Sequence, residues 1–269
     1  MATFRVGDNE LYYERGGSGE PLLLIMGMSG THLTWGEPFL EALRRDFEIA
    51  VYDHRGIGRS ARTEPPFSIA DLADDAAAAL DELGWASAHV VGISMGGMVA
   101  QELVLRHPER VRTLTLGCTY AGGTGSALTS PAVGERLFGA MSSGDRERAL
   151  RVGWEVNVSR RFAADDEQFA EFRRRALEVP ANLPTIIAQV QACQVHDTSA
   201  RLAQVAVPTL VIHGTDDEML PVDNAELIAR AIPGARLEVL DAIGHLFFWE
   251  EPKRSAELVR EHALARAAT

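Results

Sequence analysis

The stretch His89-Val90-Val91-Gly92-Ile93-Ser94-Met95-Gly96-Gly97-Met98-Val99-Ala100-Gln101-Glu102-Leu103 decides how this chain is read. Its first five residues form a short apolar run of buried-strand type. From Met95 the pattern turns helical and runs to Arg106, where His107-Pro108 closes it. A serine thus stands at a strand-to-helix junction, in the pattern G-x-S-x-G, with glycines at 92 and 96. Glycine is about 7% of residues in proteins, so a chance match in a chain of this length is on the order of one in ten. The position makes the match informative. A tight turn there strains the serine backbone and aims its hydroxyl beyond the carboxyl end of the sheet, and the flanking glycines let neighbouring backbones approach without a Cβ clash. A dinucleotide-binding loop is the competing reading, but its G-x-G-x-x-G pattern is absent because the glycines fall at 92, 96 and 97.

Working outward, short β-type runs alternate with helical patterns, as in a parallel sheet flanked by helices. Phe4 to Val6 and Leu11 to Arg15 read as a hairpin turning at Gly7-Asp8-Asn9, and Pro21 to Met26 as a buried strand. A helix at Glu37 to Arg44 and a strand at Phe47 to Tyr52 follow. Ser68, with Asp71 three residues on, opens an Ala-rich helix that Gly84 stops. After a strand at Val111 to Leu116 the alternation breaks. From Ala121 to Ala200 a Gly/Ser/Thr-rich entry leads into amphipathic helices near 135–141, 145–156, 166–177 and 184–193. Strand, helix, strand and helix then resume at 208–213, 222–231, 235–240 and 252–267. The expected organisation is an α/β core of residues 1–120 and 201–269 with a helical insertion at 121–200.

Composition narrows the function classes. The 269 residues are 46% hydrophobic and 24% charged, an ordinary globular balance, with formal net charge −12. That charge repels phosphate backbones and anionic lipid, so neither nucleic acid nor a membrane surface is an expected partner. Arg173-Arg174-Arg175 lies among acidic residues and reads as a solvated helix face. Cys118 and Cys193 make no disulfide framework, no basic-then-apolar leader opens the chain, and no apolar run approaches the ~20 residues of a membrane span. A soluble, cytoplasmic protein is expected. Lys253 is the single lysine, which removes a G-x-x-x-x-G-K phosphate loop and disfavours Schiff-base chemistry. No H-E-x-x-H zinc motif occurs, and neither metal nor cofactor is expected.

A serine hydroxyl is a weak nucleophile and requires a base, which in turn requires an orienting acid. Later strands supply both candidates. PTLVIH leads into Gly214-Thr215-Asp216-Asp217-Glu218-Met219-Leu220-Pro221, and LEVL into Asp241-Ala242-Ile243-Gly244-His245. Of the eight histidines, His245 combines a loop after the last strand with a flanking glycine and a downstream helix. His107 and His213 sit at element ends and read as structural.

VVGISMGGMVAQELVLRHPERVRTLTL, the loop Asp53-His54-Arg55-Gly56-Ile57-Gly58-Arg59-Ser60, PTLVIHGTDDEMLP and the Gly244-His245 pair together resemble the α/β-hydrolase fold family. Within it the chain looks most like small-lid esterases and lactonases related to 3-oxoadipate enol-lactonase. The family spacing G-x-x-D-x-x-x-P implies Asp217 as the acid, with Asp216 the alternative. The loop Gly117-Cys118-Thr119-Tyr120, which supplies the acid in some members, has no carboxylate. The resemblance implies oxyanion donors at the backbone N–H groups of Met95 and Met28, although Met26-Gly27 stands where many relatives have His-Gly. Asp53 to Ser60 is a structural turn in this fold and is given no catalytic role.

The insertion then becomes a lid, with Trp154, Phe138, Met141 and Ile187 as candidate pocket residues. Hydrolysis of a small-molecule carboxylic ester or lactone by Ser94, His245 and Asp217 is the expected function. Carbon–carbon bond hydrolases and cofactor-free perhydrolases use the same three residues. A non-catalytic receptor on the same fold is the reading from a different class. Epoxide and haloalkane chemistry is disfavoured, because it uses aspartate at position 94, and tyrosines occur only at 12, 13, 52 and 120. A homo-oligomer is left open.

Overall fold

A computed structural model describes residues 2–179 and 182–265. Their elements run β1 (Ala2–Val6), β2 (Asn9–Gly17), β3 (Glu20–Ile25), α1 (Glu37–Leu43), β4 (Phe47–Tyr52), α2 (Ile69–Glu82), β5 (Ala88–Ile93), α3 (Met95–Arg106) and β6 (Val111–Gly117). Then come α4 (Pro131–Ser142), α5 (Arg146–Asn157), α6 (Arg160–Ala163), α7 (Asp166–Glu178) and α8 (Leu183–Gln194). The chain closes with β7 (Thr209–Gly214), α9 (Asp223–Ala231), β8 (Arg236–Leu240), α10 (Phe247–Glu250) and α11 (Pro252–Ala263). The strands form one eight-stranded sheet in the order β1-β2-β4-β3-β5-β6-β7-β8. The β1–β2 and β2–β4 pairs are antiparallel, and every other pair is parallel.

Parallel strands covered on both faces must be apolar on both, and β3 shows it. Leu23 and Ile25 pack with α2 and α3 residues such as Leu72, Ala76 and Val99. Leu22 and Leu24 point the other way, into a cluster with Phe39 and Leu43 of α1 and Phe247, Phe248 and Val259 of α10 and α11. α2 begins in a full capping box: Asp71 N–H donates to Ser68 Oγ at 3.2 Å, and Ser68 N–H to Asp71 Oδ2 at 2.7 Å.

Strand order positions the site. From β3 the chain goes to β4 on one side and to β5 on the other, so the direction reverses between β3 and β5. Loops leaving the carboxyl ends at such a reversal diverge and leave a crevice. Gly27 and Ser94 leave the sheet there.

The sequence reading differs from the structure at the short elements. The hairpin turn is tighter than expected, since Asn9 already pairs with Val6. The four-residue helices α6 and α10 were not anticipated, because one turn carries no periodicity. The last helix ends at Ala263, and residues 266–267 of the expected span lie outside the described residues. No helix among the described residues is long and apolar enough to cross a membrane.

Buried histidines give the fold an acid-sensitive side. Burial lowers the pKa of His54 and His262 and takes His89 and His196 down to about 4. Unfolded histidine titrates near 6.5, so between pH 6.5 and 4 the unfolded chain binds more protons than the folded one, and stability falls as pH falls. His196 alone should remove on the order of 2 kcal/mol between pH 6.5 and 5. Thermal unfolding should therefore show a lower midpoint at pH 5 than at pH 7; a flat profile across that range would contradict neutral, buried imidazoles.

Candidate active site

Ser94 occupies the N-cap of α3 with φ 56° and ψ −122°, a conformation that a non-glycine residue enters only under strain. The surroundings hold it there. Ser94 N–H donates to Gly117 O at 2.9 Å, and its carbonyl accepts from Gly97 N–H at 2.9 Å, Met98 N–H at 3.2 Å and Thr119 Oγ1 at 2.7 Å. The glycines around it are required by contact. A Cβ on Gly92 would fall 2.3 Å from Gly96 O, and one on Gly96 would fall 2.1 Å from Ile25 O.

Gly96→Ala should accordingly cost about 1–3 kcal/mol through overpacking of rigid backbone. Gly139→Ala on α4 should have the opposite sign, stabilising by roughly 0.5–1 kcal/mol, since a Cβ there meets nothing within 4 Å and alanine is the better helix former. Denaturant unfolding of the two variants checks both signs, and equal effects would remove the elbow argument.

The acid and base arrive on neighbouring loops because β7 and β8 pair to their ends, Gly214 opposite Leu240. His245 Nδ1 lies 2.7 Å from Asp217 Oδ2. A carboxylate has no proton to give, so Nδ1 carries the hydrogen and Nε2 is left as the basic nitrogen. Asp217 Oδ1 accepts from Met219 N–H at 2.8 Å and Leu220 N–H at 2.9 Å, and its Oδ2 is also 3.0 Å from His213 Nε2. Burial by itself raises the Asp217 carboxyl, but the attraction of His245 and the hydrogen bonds from His213 and His245 outweigh it and hold the acid well below the usual carboxylate range. Asp216 is exposed, with its side chain toward Thr215 at 3.5 Å.

Gly27 and Met28 close the other side. A Cβ on Gly27 would stand 3.0 Å from Ser94 Cβ and 3.6 Å from Ser94 Oγ, so the loop after β3 lies directly against the nucleophile. Met95 is the first residue of α3, and its N–H has no helical carbonyl four residues back to bind. The structure thus brings Ser94, Met95, Gly27-Met28, Asp217 and His245 to the same end of the sheet. No hydrogen bond within 3.5 Å joins the Ser94 hydroxyl to His245 among the described residues.

The four candidate pocket residues are placed differently. Trp154 is fully buried in an aromatic cluster with Phe162, Phe172 and Trp249, at ring-centroid distances of 5.6, 5.1 and 5.8 Å. It fastens the helical insertion to α10. Phe138, Met141 and Ile187 are exposed on α4 and α8. Two surface cavities, of about 170 and 270 Å³, are lined by residues such as Gly122, Ser126 and Leu227, and Gly36, Gln168 and Trp249. Neither is lined by Ser94 or His245.

Sequence reasoning missed the residues that brace these loops. Glu250 Oε1 accepts from Gly244 N–H and Ser159 N–H, both at 2.8 Å, and Leu246 N–H donates to Asn157 O at 2.8 Å, tying the His245 loop to the insertion. Glu250 directly follows the apolar run Leu246-Phe247-Phe248-Trp249, and nothing in that pattern marks it as buried. His54 Nε2 donates to Met26 O at 2.8 Å, and Asp53 accepts from His32 N–H at 2.6 Å and Arg59 N–H at 2.8 Å. The Asp53–Ser60 loop therefore supports the strand end that carries Gly27. Cys118 Sγ, an Asp217 oxygen and a His245 nitrogen lie within 4.8 Å of one another, a spacing compatible with a metal. Burial raises the Cys118 thiol well above its ordinary pKa.

Comparison with known proteins identifies the family. Residues 20–252 match the family described as alpha/beta hydrolase fold. "Putative carbamate hydrolase RutD" of Azorhizobium caulinodans is 36% identical over 244 residues, covering 90% of each chain. The solved structure described as "Est816 as an N-Acyl homoserine lactone degrading enzyme" is 30% identical, with TM-score 0.78 over 96% of this chain and 99% of that one. The enol-lactonase from Burkholderia xenovorans LB400 is 25% identical, with TM-score 0.85 over 98% of this chain and 100% of that one. The chain belongs to the α/β-hydrolase fold family and is a hydrolase, as the resemblance in its motifs implied.

Proposed function

We propose that the chain is a serine hydrolase that cleaves a carboxylic ester or lactone through an acyl-enzyme on Ser94. Ser94 Oγ attacks the carbonyl carbon while its proton passes to His245 Nε2. The negative charge that develops on the carbonyl oxygen is met by the N–H groups of Met28 and Met95. The tetrahedral adduct then collapses, the alcohol oxygen leaves with the proton from His245, and water attacks the acyl group by the same path in reverse. Asp217 holds the imidazole in the tautomer this sequence requires. In a lactone the leaving alcohol stays tethered to the acyl group, and the product is a hydroxy acid. The helices of 121–200 act as a lid over the core of 1–120 and 201–269, with Phe138, Met141 and Ile187 offering apolar surface to an acyl chain.

One observation carries this reading: a serine at φ 56° on the β5–α3 turn, at the same sheet end as a buried Asp217–His245 pair at 2.7 Å. Turnover of p-nitrophenyl acetate and butyrate tests it, and ligand-induced stabilisation without turnover would favour a receptor instead. The RutD relative supports a carbamate as a second acyl class, since the same attack on a carbamate carbonyl releases an alcohol or an amine. Rates on a p-nitrophenyl carbamate beside the simple esters, a homoserine lactone and a vinylogous diketone separate these substrates from carbon–carbon bond cleavage.

A further inference from the structure

His245 stands between two peptides that are held from outside its own loop. On its carboxyl side, Leu246 N–H donates at 2.8 Å to the carbonyl of Asn157, the last residue of α5. That N–H belongs to the His245–Leu246 peptide, whose plane contains the His245 Cα. On its amino side, the Ile243–Gly244 peptide is bound at both ends. Its N–H, on Gly244, donates to Glu250 Oε1 at 2.8 Å, and its carbonyl, on Ile243, accepts from Asp216 N–H at 2.9 Å. Only the Gly244–His245 peptide lies between these two, too short a piece of chain for the His245 Cα to move alone.

Glu250 joins this loop to the insertion. The oxygen that takes Gly244 N–H also takes Ser159 N–H at 2.8 Å, and the second oxygen accepts from the Ser159 hydroxyl. Residues 157–159 are therefore tied to residues 244–246 by two rungs, the Leu246–Asn157 backbone bond and the Glu250 side chain. Between the rungs the backbones touch: a Cβ on Gly244 would fall 2.5 Å from the Val158 carbonyl carbon and 2.6 Å from Ser159 N. Gly244, Ser159 and Glu250 are all buried. Without the Glu250 oxygens, two N–H groups and a hydroxyl would lose their partners in a place closed to water. The chain can relieve that cost only by letting the two segments part.

We infer that Glu250 is a positioning residue for the base, clamping residues 157–159 of the insertion onto the His245 loop so that His245 keeps its register with Asp217 and Ser94. This rests on the serine-hydrolase reading above. The insertion then does more than cover substrate, because the base is in place only while residues 157–159 are seated.

Glu250→Met removes both acceptors while keeping the side-chain length. It should lower kcat on p-nitrophenyl butyrate about ten- to hundredfold, with KM changed far less, because a misplacement of about 1 Å in a catalytic group has effects of that order. Glu250→Gln should stay within about threefold of wild type. Its amide oxygen can take both N–H groups, and its NH2 can donate to the Ser159 hydroxyl, which also accepts. Gly244→Ala leaves Glu250 intact but drives a methyl group between the same two backbones. It should reproduce the kcat loss, which keeps the test open if Glu250→Met does not fold. Thermal unfolding of each variant establishes that it is folded. Wild-type kcat in folded Glu250→Met or Gly244→Ala, a loss confined to KM, or a loss in Glu250→Gln equal to that in Glu250→Met would each overturn the assignment. The Ser94→Ala control separates the two claims. If that variant is inactive and Glu250→Met turns over at the wild-type rate, Glu250 alone is misassigned; if Ser94→Ala keeps its activity, the nucleophile is.

Discussion

Ser94→Ala should lower kcat on p-nitrophenyl butyrate by about 10⁴- to 10⁶-fold while leaving the fold intact. The size follows from the mechanism. Without Oγ no acyl-enzyme forms, and what remains is the catalysis that oxyanion donors and binding can give to direct attack by water. The fold should survive because the bonds that hold the elbow run from the Ser94 backbone to Gly117, Gly97, Met98 and Thr119 and not from its hydroxyl. Steady-state kinetics beside thermal unfolding checks both halves. Loss of activity with loss of folding would say nothing for a nucleophile, and retained activity would speak against one.

Asp217→Asn should lower kcat by about 10⁴-fold, the loss expected of a serine-protease triad when the acid becomes an amide and the imidazole takes the wrong tautomer. An amide nitrogen opposite His245 would donate to Nδ1, moving the imidazole proton to Nε2, where it can no longer accept from Ser94. Asp216→Asn should change kcat by only a few fold, since its side chain is exposed and reaches Thr215 instead of the imidazole. Similar losses in the two variants would remove Asp217 from its assigned role. Asp217 also links activity to acid stability. Its pKa is held below the unfolded carboxylate value of about 3.9, so its contribution is fully present above that pH and is lost as pH falls toward the folded value.

The alternation of strands and helices was legible because β3, β5 and β7 are buried on both faces and read as unbroken apolar runs. The serine's place at the end of β5 came with it. The choice between Asp216 and Asp217 did not follow from their chemistry, since adjacent aspartates on one loop look alike until a register is imposed; family spacing imposed it. The place of Trp154 was not legible for a related reason. Helical spacing shows that α5 has an apolar face, but not whether that face meets substrate or, as here, Phe162, Phe172 and Trp249. The role of Glu250 was invisible because its partner Ser159 lies 91 positions away. Bracing of that kind depends on tertiary contact, and no local pattern reports it.

The most direct measurement is covalent labelling of the active protein with a fluorophosphonate, followed by mass spectrometry of its peptides. A serine nucleophile activated by His245 should take one label per chain, on the peptide containing Gly92-Ile93-Ser94-Met95-Gly96, with loss of esterase activity in step with labelling. Prior saturation with substrate should slow both. Full inhibition with the label on another residue, or rapid ester turnover by a chain that takes no label at all, would contradict Ser94 as the group that carries the acyl intermediate.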